Sequence, residues 1–310
     1  MANLAPIVVF AYKRPEHLRA TLDSLKRCEG FADSKIIVFG DGPKTEADRD
    51  AVDATRRVAR TMLGSQAEYY FRDANAGLAA SIIGGVTEVT RTFGRAVVLE
   101  DDLELSPRFL VYMNSALDRY EEEKKVFQIS GQLVDIPEFC QRDAALFLPF
   151  TTSWGWGTWY RAWERLDPLA RGWEQLKTDR QLRARFNLNG SFDYSTMLQR
   201  QMAGVLDSWA IRWYWSVFRN DGVVCFPPVS LVRNTGLDGS GTHGRGVLRR
   251  FREPVILRQI GSISFPHRVA VAEQDFDLVK RAIWLRNGGR LGAAVDILRR
   301  RLFALTGKRM

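Results

Sequence analysis

Arg95-Ala96-Val97-Val98-Leu99-Glu100-Asp101-Asp102-Leu103 passes from an apolar run straight into three adjacent carboxylates. Ala96 to Leu99 shows no polar alternation, so it reads as a strand buried on both faces, as parallel strands of α/β sheets are. Ser106 and Pro107 then offer an N-cap and a first helical residue, which predicts a helix from that point. Ligands of open α/β sheets bind beyond the carboxyl ends of the strands. Three carboxylates crowded at such an end repel one another unless a cation neutralises them, and a hard divalent ion that also holds a phosphate meets that need. A solvated acidic turn has the same composition, so the neighbouring strand ends decide between the two.

Working outward, Ile7-Val8-Val9-Phe10-Ala11, Lys35-Ile36-Ile37-Val38-Phe39-Gly40 and Glu68-Tyr69-Tyr70-Phe71-Arg72 read as three further strands. Helical patterns separate them: one from Pro15 with Leu18, Leu22 and Leu25 on a face, one over about residues 45–62, and one over residues 77–92. Strands alternating with helices imply βαβ crossovers and a mostly parallel sheet. Past about residue 110 the pattern changes to a strand at residues 126–129 and two aromatic-rich stretches, residues 151–173 and 205–218.

Residues 245–310 hold 15 Lys/Arg against 5 Asp/Glu, whereas the preceding 244 residues hold 30 against 31, so the net charge of +9 belongs to the C-terminal segment. There Phe276, Val279, Ile283 and Trp284, then Leu291, Val295, Leu298 and Leu302, recur at helical spacing between basic residues. Such helices suit an anionic membrane surface, or a helical cap with a solvated basic face. Stacking aromatics do not interleave the basic residues, which argues against nucleic acid. No window approaches a membrane span, and the N-terminus lacks the features of a signal peptide. Cys28, Cys140 and Cys225 show neither metal nor disulfide spacing, so the expected location is the cytoplasm, with the C-terminus as a peripheral contact to the inner membrane face.

Three strand ends carry polar residues suited to a nucleotide. Arg14 follows the first strand and can pair with a diphosphate; Asp41 ends the second and can accept from a base imide or a ribose hydroxyl; Asn75-Ala76-Gly77 follow the third. Neither a Gly-x-Gly-x-x-Gly fingerprint nor a Walker loop is present. Ser153-Trp154-Gly155-Trp156-Gly157-Thr158-Trp159 offers rings for a sugar face, or an aromatic core with glycines for packing. Asp207-Ser208-Trp209 places a carboxylate where a general base or an N-cap is wanted. The stretch from Asn234 to Gly244, with His243, has the glycine content of a loop that closes over a ligand.

In this order the pieces resemble a nucleotide-sugar glycosyltransferase of the GT-A fold, and more narrowly the N-acetylglucosaminyltransferase I family. The matching stretches are residues 8–14, 36–42, 97–104, 154–156 and 207–209, and the segment from Pro228 to His243. The resemblance implies a GT-A, Rossmann-like α/β domain over residues 1–245. Its nucleotide-binding half would be residues 1–110, its acceptor-binding half residues 111–245, with a basic helical extension at 246–310. It implies donor contacts from Arg14, Asp41, Asn75, Glu100, Asp101 and His243, and Mn²⁺ or Mg²⁺ on Asp102. The catalytic base falls at Asp207 or, one position on, at Ser208, which replaces the family's second aspartate. Trp154, Trp156 and Trp209 would line the acceptor. The family's type II membrane anchor is absent, which points to a bacterial cytosolic relative. The implied reaction is metal-dependent, inverting transfer of a hexosyl or N-acetylhexosaminyl group from a UDP-sugar to a glycan or lipid-linked acceptor, in cell-surface polysaccharide biosynthesis. A sugar nucleotidyltransferase would show a Gly-rich basic signature after the first strand, where this chain has Ala11-Tyr12-Lys13-Arg14-Pro15. A non-catalytic carbohydrate-binding protein would release no UDP from UDP-sugars.

Overall fold

The computed structural model of the protein describes residues 4–236, 257 and 261–289. The first half alternates as expected: β1 (Ile7–Ala11), α1 (Pro15–Lys26), β2 (Ile36–Gly40), α2 (Arg49–Leu63), β3 (Ala67–Phe71), α3 (Leu78–Phe93) and β4 (Arg95–Glu100). Then come β5 (Leu103–Leu105), α4 (Phe109–Arg119), β6 (Val126–Ser130), β7 (Leu146–Leu148), β8 (Trp156–Trp159) and the short α5 (Tyr160–Trp163), α6 (Gln175–Thr178) and α7 (Arg180–Phe186). The remaining elements are α8 (Tyr194–Met202), α9 (Trp209–Arg219), β9 (Val223–Phe226), β10 (Val232–Asn234) and α10 (Glu273–Arg286).

Eight strands form one sheet in the order β3-β2-β1-β4-β8-β6-β9-β7, and only β8 and β7 run against the rest. This is the mostly parallel, Rossmann-like α/β sheet that the sequence predicts. Every residue of β1, β2 and β6 is buried, as the unbroken apolar runs require, whereas edge strand β3 alternates and leaves Tyr70 exposed. The chain proceeds outward from β1 through β2 to β3, then returns to place β4 on the other side of β1. The crevice between β1 and β4 is therefore a topological switch point, where open α/β sheets bind ligands. Register brings Ala11 beside Gly40 and Phe10 beside Glu100, so the residues that follow these three strands emerge together.

One expectation needs correction. The helix after the acidic triplet starts at Phe109, not at Pro107: β5 intervenes, and Ser106 instead closes a turn, its carbonyl accepting from Phe109 N at 2.9 Å. The described residues of the predicted 246–310 extension pack against the preceding domain. Ser264 bridges to Ala144, Phe265 stacks on Tyr112 at 5.8 Å, and Arg142 pairs with Asp275 at 2.7 Å. On α10, Val279 is fully buried and Phe276 and Ile283 pack against the core, while Glu273, Asp275 and Asp277 offset the basic residues. The Phe276–Val279–Ile283 side of this helix is thus covered by the protein, while Leu285 remains exposed. The second predicted helix, from Leu291 to Leu302, lies outside the described residues. Among the described residues no helix is long and apolar enough to cross a membrane.

Candidate active site

Pro15 starts α1 with its fixed φ, and Arg14 sits just before it without capping the helix, so its side chain is available to turn into the β1/β4 crevice. There one guanidinium nitrogen, Nη2, donates to Asp101 Oδ1 and, at 2.9 Å, to Asp102 Oδ2. Tyr12 N donates to the other Asp101 oxygen at 3.2 Å. A third strand end enters from far along the chain. Antiparallel pairing of β10 with β5 sets Asn234 opposite Leu103, and the next residues roof the cluster. Asn234 Nδ2 donates to Asp102 Oδ1 at 3.2 Å, and Thr235 donates to the Asp102 carbonyl from both its N–H and its hydroxyl. A Cβ at Gly236 would fall on the Asp102 carboxylate and 2.7 Å from Arg14 Nη1, so only glycine lets the backbone approach this closely.

One guanidinium does not balance three carboxylates. Burial, then the charges of Asp102 and Asp101, push the Glu100 carboxyl up to about 8. Burial also raises Asp101, against the pull of Arg14. A carboxyl that holds its proton in the folded state and loses it in the unfolded one makes stability fall as pH rises between the two pKa values. For Glu100 that window runs from the ordinary carboxylate range, near 4.5, to about 8. Glu100→Gln is therefore expected to gain thermal stability relative to the metal-free wild type as pH rises through that window, with a constant difference above it. Melting curves from pH 4 to 9 check this; a difference that does not change with pH would contradict it.

Asp41, at the end of β2, is buried and accepts four hydrogen bonds. Oδ1 takes the N–H groups of Gly42 and Ala76 at 3.0 and 2.9 Å; Oδ2 takes Asn75 Nδ2 and Gly77 N at 3.0 and 2.9 Å. A carboxylate has about four lone-pair sites, and the protein itself fills them here. Asp41 anchors a clamp that shapes the 75–77 loop. Asn75 belongs to the same clamp, its amide nitrogen also donating to Gly42 O at 3.0 Å. Gly77 holds the φ of +87° that this turn needs.

The clamped loop leads to Asp207, whose carboxyl lies 3.4 Å from Ala79 N at the start of α3 and 3.5 Å from Arg212 Nη2. Its side chain is 61% exposed. Ser208, by contrast, is buried: its Oγ accepts from Ile211 N as the N-cap of α9, and its N–H donates to Gln201. The structure thus assigns Ser208 to capping and leaves Asp207 as the accessible carboxylate.

The aromatic stretches divide similarly. Trp156 and Trp209 do not line an acceptor surface: they are 0% and 3% exposed, stack at 4.9 Å, and join Trp163 and Trp213 in the core. Their mutual contact satisfies the faces that a sugar would need. Trp154 remains partly exposed, two residues before Trp156 and hence toward the β4 end that carries Glu100, with Arg286 of α10 5.9 Å from its ring centre. His243 lies outside the described residues. Sequence reasoning left the roof from Asn234 to Gly236 without a contact to Asp102. Its only sequence signal was the polar Asn-Thr-Gly run ahead of the glycine-rich loop.

Among the described residues no three His, Cys, Asp or Glu side chains are arranged to enclose a metal. The donor set nevertheless suits a hard divalent ion of the Mg²⁺ or Mn²⁺ kind, which takes one or two carboxylates and fills its other positions with phosphate oxygens and water.

No protein-family model matches the chain. Solved structures with a similar path include the mannosyltransferase PcManGT from Pyrobaculum calidifontis, in complex with GDP-Man and Mn²⁺ (14% identity, 54% of this chain and 50% of that one, TM-score 0.36). TarS residues 1–349 from S. aureus matches at 9% identity over 75% of this chain and 61% of its own, TM-score 0.43. The galactosyltransferase LgtC, in complex with donor and acceptor sugar analogues, matches at 14% identity over 71% and 72%, TM-score 0.39. The chain thus spans half of the first of these and about three fifths of the second.

Proposed function

We propose that the protein is a GT-A-type glycosyltransferase that moves a sugar from a UDP-sugar to a hydroxyl of a glycan or lipid-linked acceptor. The observation that carries this reading is the meeting of Arg14, Asp101 and Asp102 at the β1/β4 switch point. A cation and two carboxylates at that place suit a nucleotide diphosphate.

Asp102, with Asp101 beside it, would hold Mg²⁺ or Mn²⁺, which when bound supplies charge neutralisation for a departing diphosphate. Arg14 pairs with the diphosphate through its planar fork. Glu100 ends β4 beside this pair. The Asp41 clamp fixes the 75–77 loop as the floor on the far side of β1. Asp207 faces that floor from just ahead of α9 and takes the proton of the acceptor hydroxyl as it attacks the anomeric carbon opposite the departing diphosphate, which gives inversion. Trp154 is the ring available to an acceptor sugar.

UDP release from a panel of UDP-sugars, with Mn²⁺ and with EDTA, tests the assignment. Release of UDP from at least one donor, abolished by EDTA, is expected. The absence of release from every donor, with Mn²⁺ present, would leave a binding protein instead.

A further inference from the structure

We propose that Arg14 is an exchangeable internal cation: it neutralises the Asp101–Asp102 pair in the free protein and moves to the donor diphosphate when a divalent ion takes that pair. This rests on the transferase reading and adds a coupling to it: metal and donor each bind weakly alone and strongly together.

In the structure both carboxylate oxygens of Asp102 are engaged, Oδ2 by Arg14 and Oδ1 by Asn234. The same Arg14 nitrogen also serves Asp101. An ion bound to Asp102 Oδ2 would therefore meet the like charge of Arg14 within contact distance, a repulsion that departure of the guanidinium relieves. Arg14 is the member that can leave. Its side chain makes no cap for α1, and it ends a long stem at the mouth of the crevice, still 21% exposed. Its fork then needs a new anion, and a diphosphate presents paired oxygens of matching geometry. Gly236 bars the guanidinium with no side chain of its own. Asn234 is an amide and can turn its oxygen toward a cation as readily as its nitrogen toward a carboxylate.

Mn²⁺ titrated into metal-free protein, with free ion read by EPR, tests the exchange. Without nucleotide, Arg14→Gln is expected to bind Mn²⁺ about tenfold more tightly than wild type, the scale of a lost charge-assisted competitor. Addition of UDP should tighten Mn²⁺ binding to wild type strongly and to Arg14→Gln little. Arg14→Lys retains a charge without the fork, should lie between the two, and carries the test alone if the glutamine variant does not fold. Equal Mn²⁺ affinity of wild type and variants without UDP overturns the exchange; if UDP still tightens binding, the transferase reading stands. Failure of every form to bind Mn²⁺, with or without UDP, overturns both.

Discussion

Asp102→Ala is expected to lower sugar transfer by about 10³-fold or more while leaving the fold intact. A metal-held diphosphate draws several kcal/mol of charge stabilisation from its ion, and each 1.36 kcal/mol is a factor of ten in rate. Asp102 lies just past β4, where its side chain meets Arg14 and Asn234. Its loss leaves Arg14 paired with Asp101, so no buried charge is stranded. Rates measured across a Mn²⁺ titration separate weak metal binding from a damaged fold: excess Mn²⁺ should not restore the variant, and its melting temperature should stay near that of wild type. An Asp102→Ala protein with full transfer would remove the metal role from this residue.

Asp41→Ala is expected to cost on the order of 3–5 kcal/mol of stability and to abolish donor binding with it. The substitution removes the acceptor of three backbone N–H groups and one of the two hydrogen bonds of the Asn75 amide, in a part-buried turn. Each unsatisfied donor costs about 1–3 kcal/mol, less than additively when the loop can relax toward water. Relaxation would displace Gly77 and the start of α3, against which Asp207 rests. Urea denaturation and UDP titration measured together decide the case. If Asp41 were only a ligand contact, UDP affinity would fall with stability unchanged.

The strands were readable because burial on both faces forces unbroken apolar runs, and Ile7–Ala11, Ile36–Gly40 and Ala96–Leu99 show them plainly. Arg14 and the acidic pair were readable because they follow such runs directly. Asp41 follows one too, but its partners lie in a loop 35 and 36 residues away, and composition does not tell an acceptor for backbone from an acceptor for ligand. Trp156 and Trp209 show the same ambiguity: an indole that stacks on sugar and one that stacks on another indole look alike in sequence. Helical spacing gave α10 an apolar face but did not say that the core covers it. The roof at Asn234 depends on a strand pairing more than 100 residues away, which no local pattern carries.

The central claim is that the Arg14–Asp101–Asp102 crevice takes a uridine diphosphate together with a divalent ion. Thermal shift against a panel of nucleotide-sugars, with Mn²⁺ and with EDTA, tests it most directly. Stabilisation by UDP-sugars that needs Mn²⁺ and disappears in Asp102→Ala is the predicted result. Stabilisation by no nucleotide-sugar, or only by those with other bases, would contradict it.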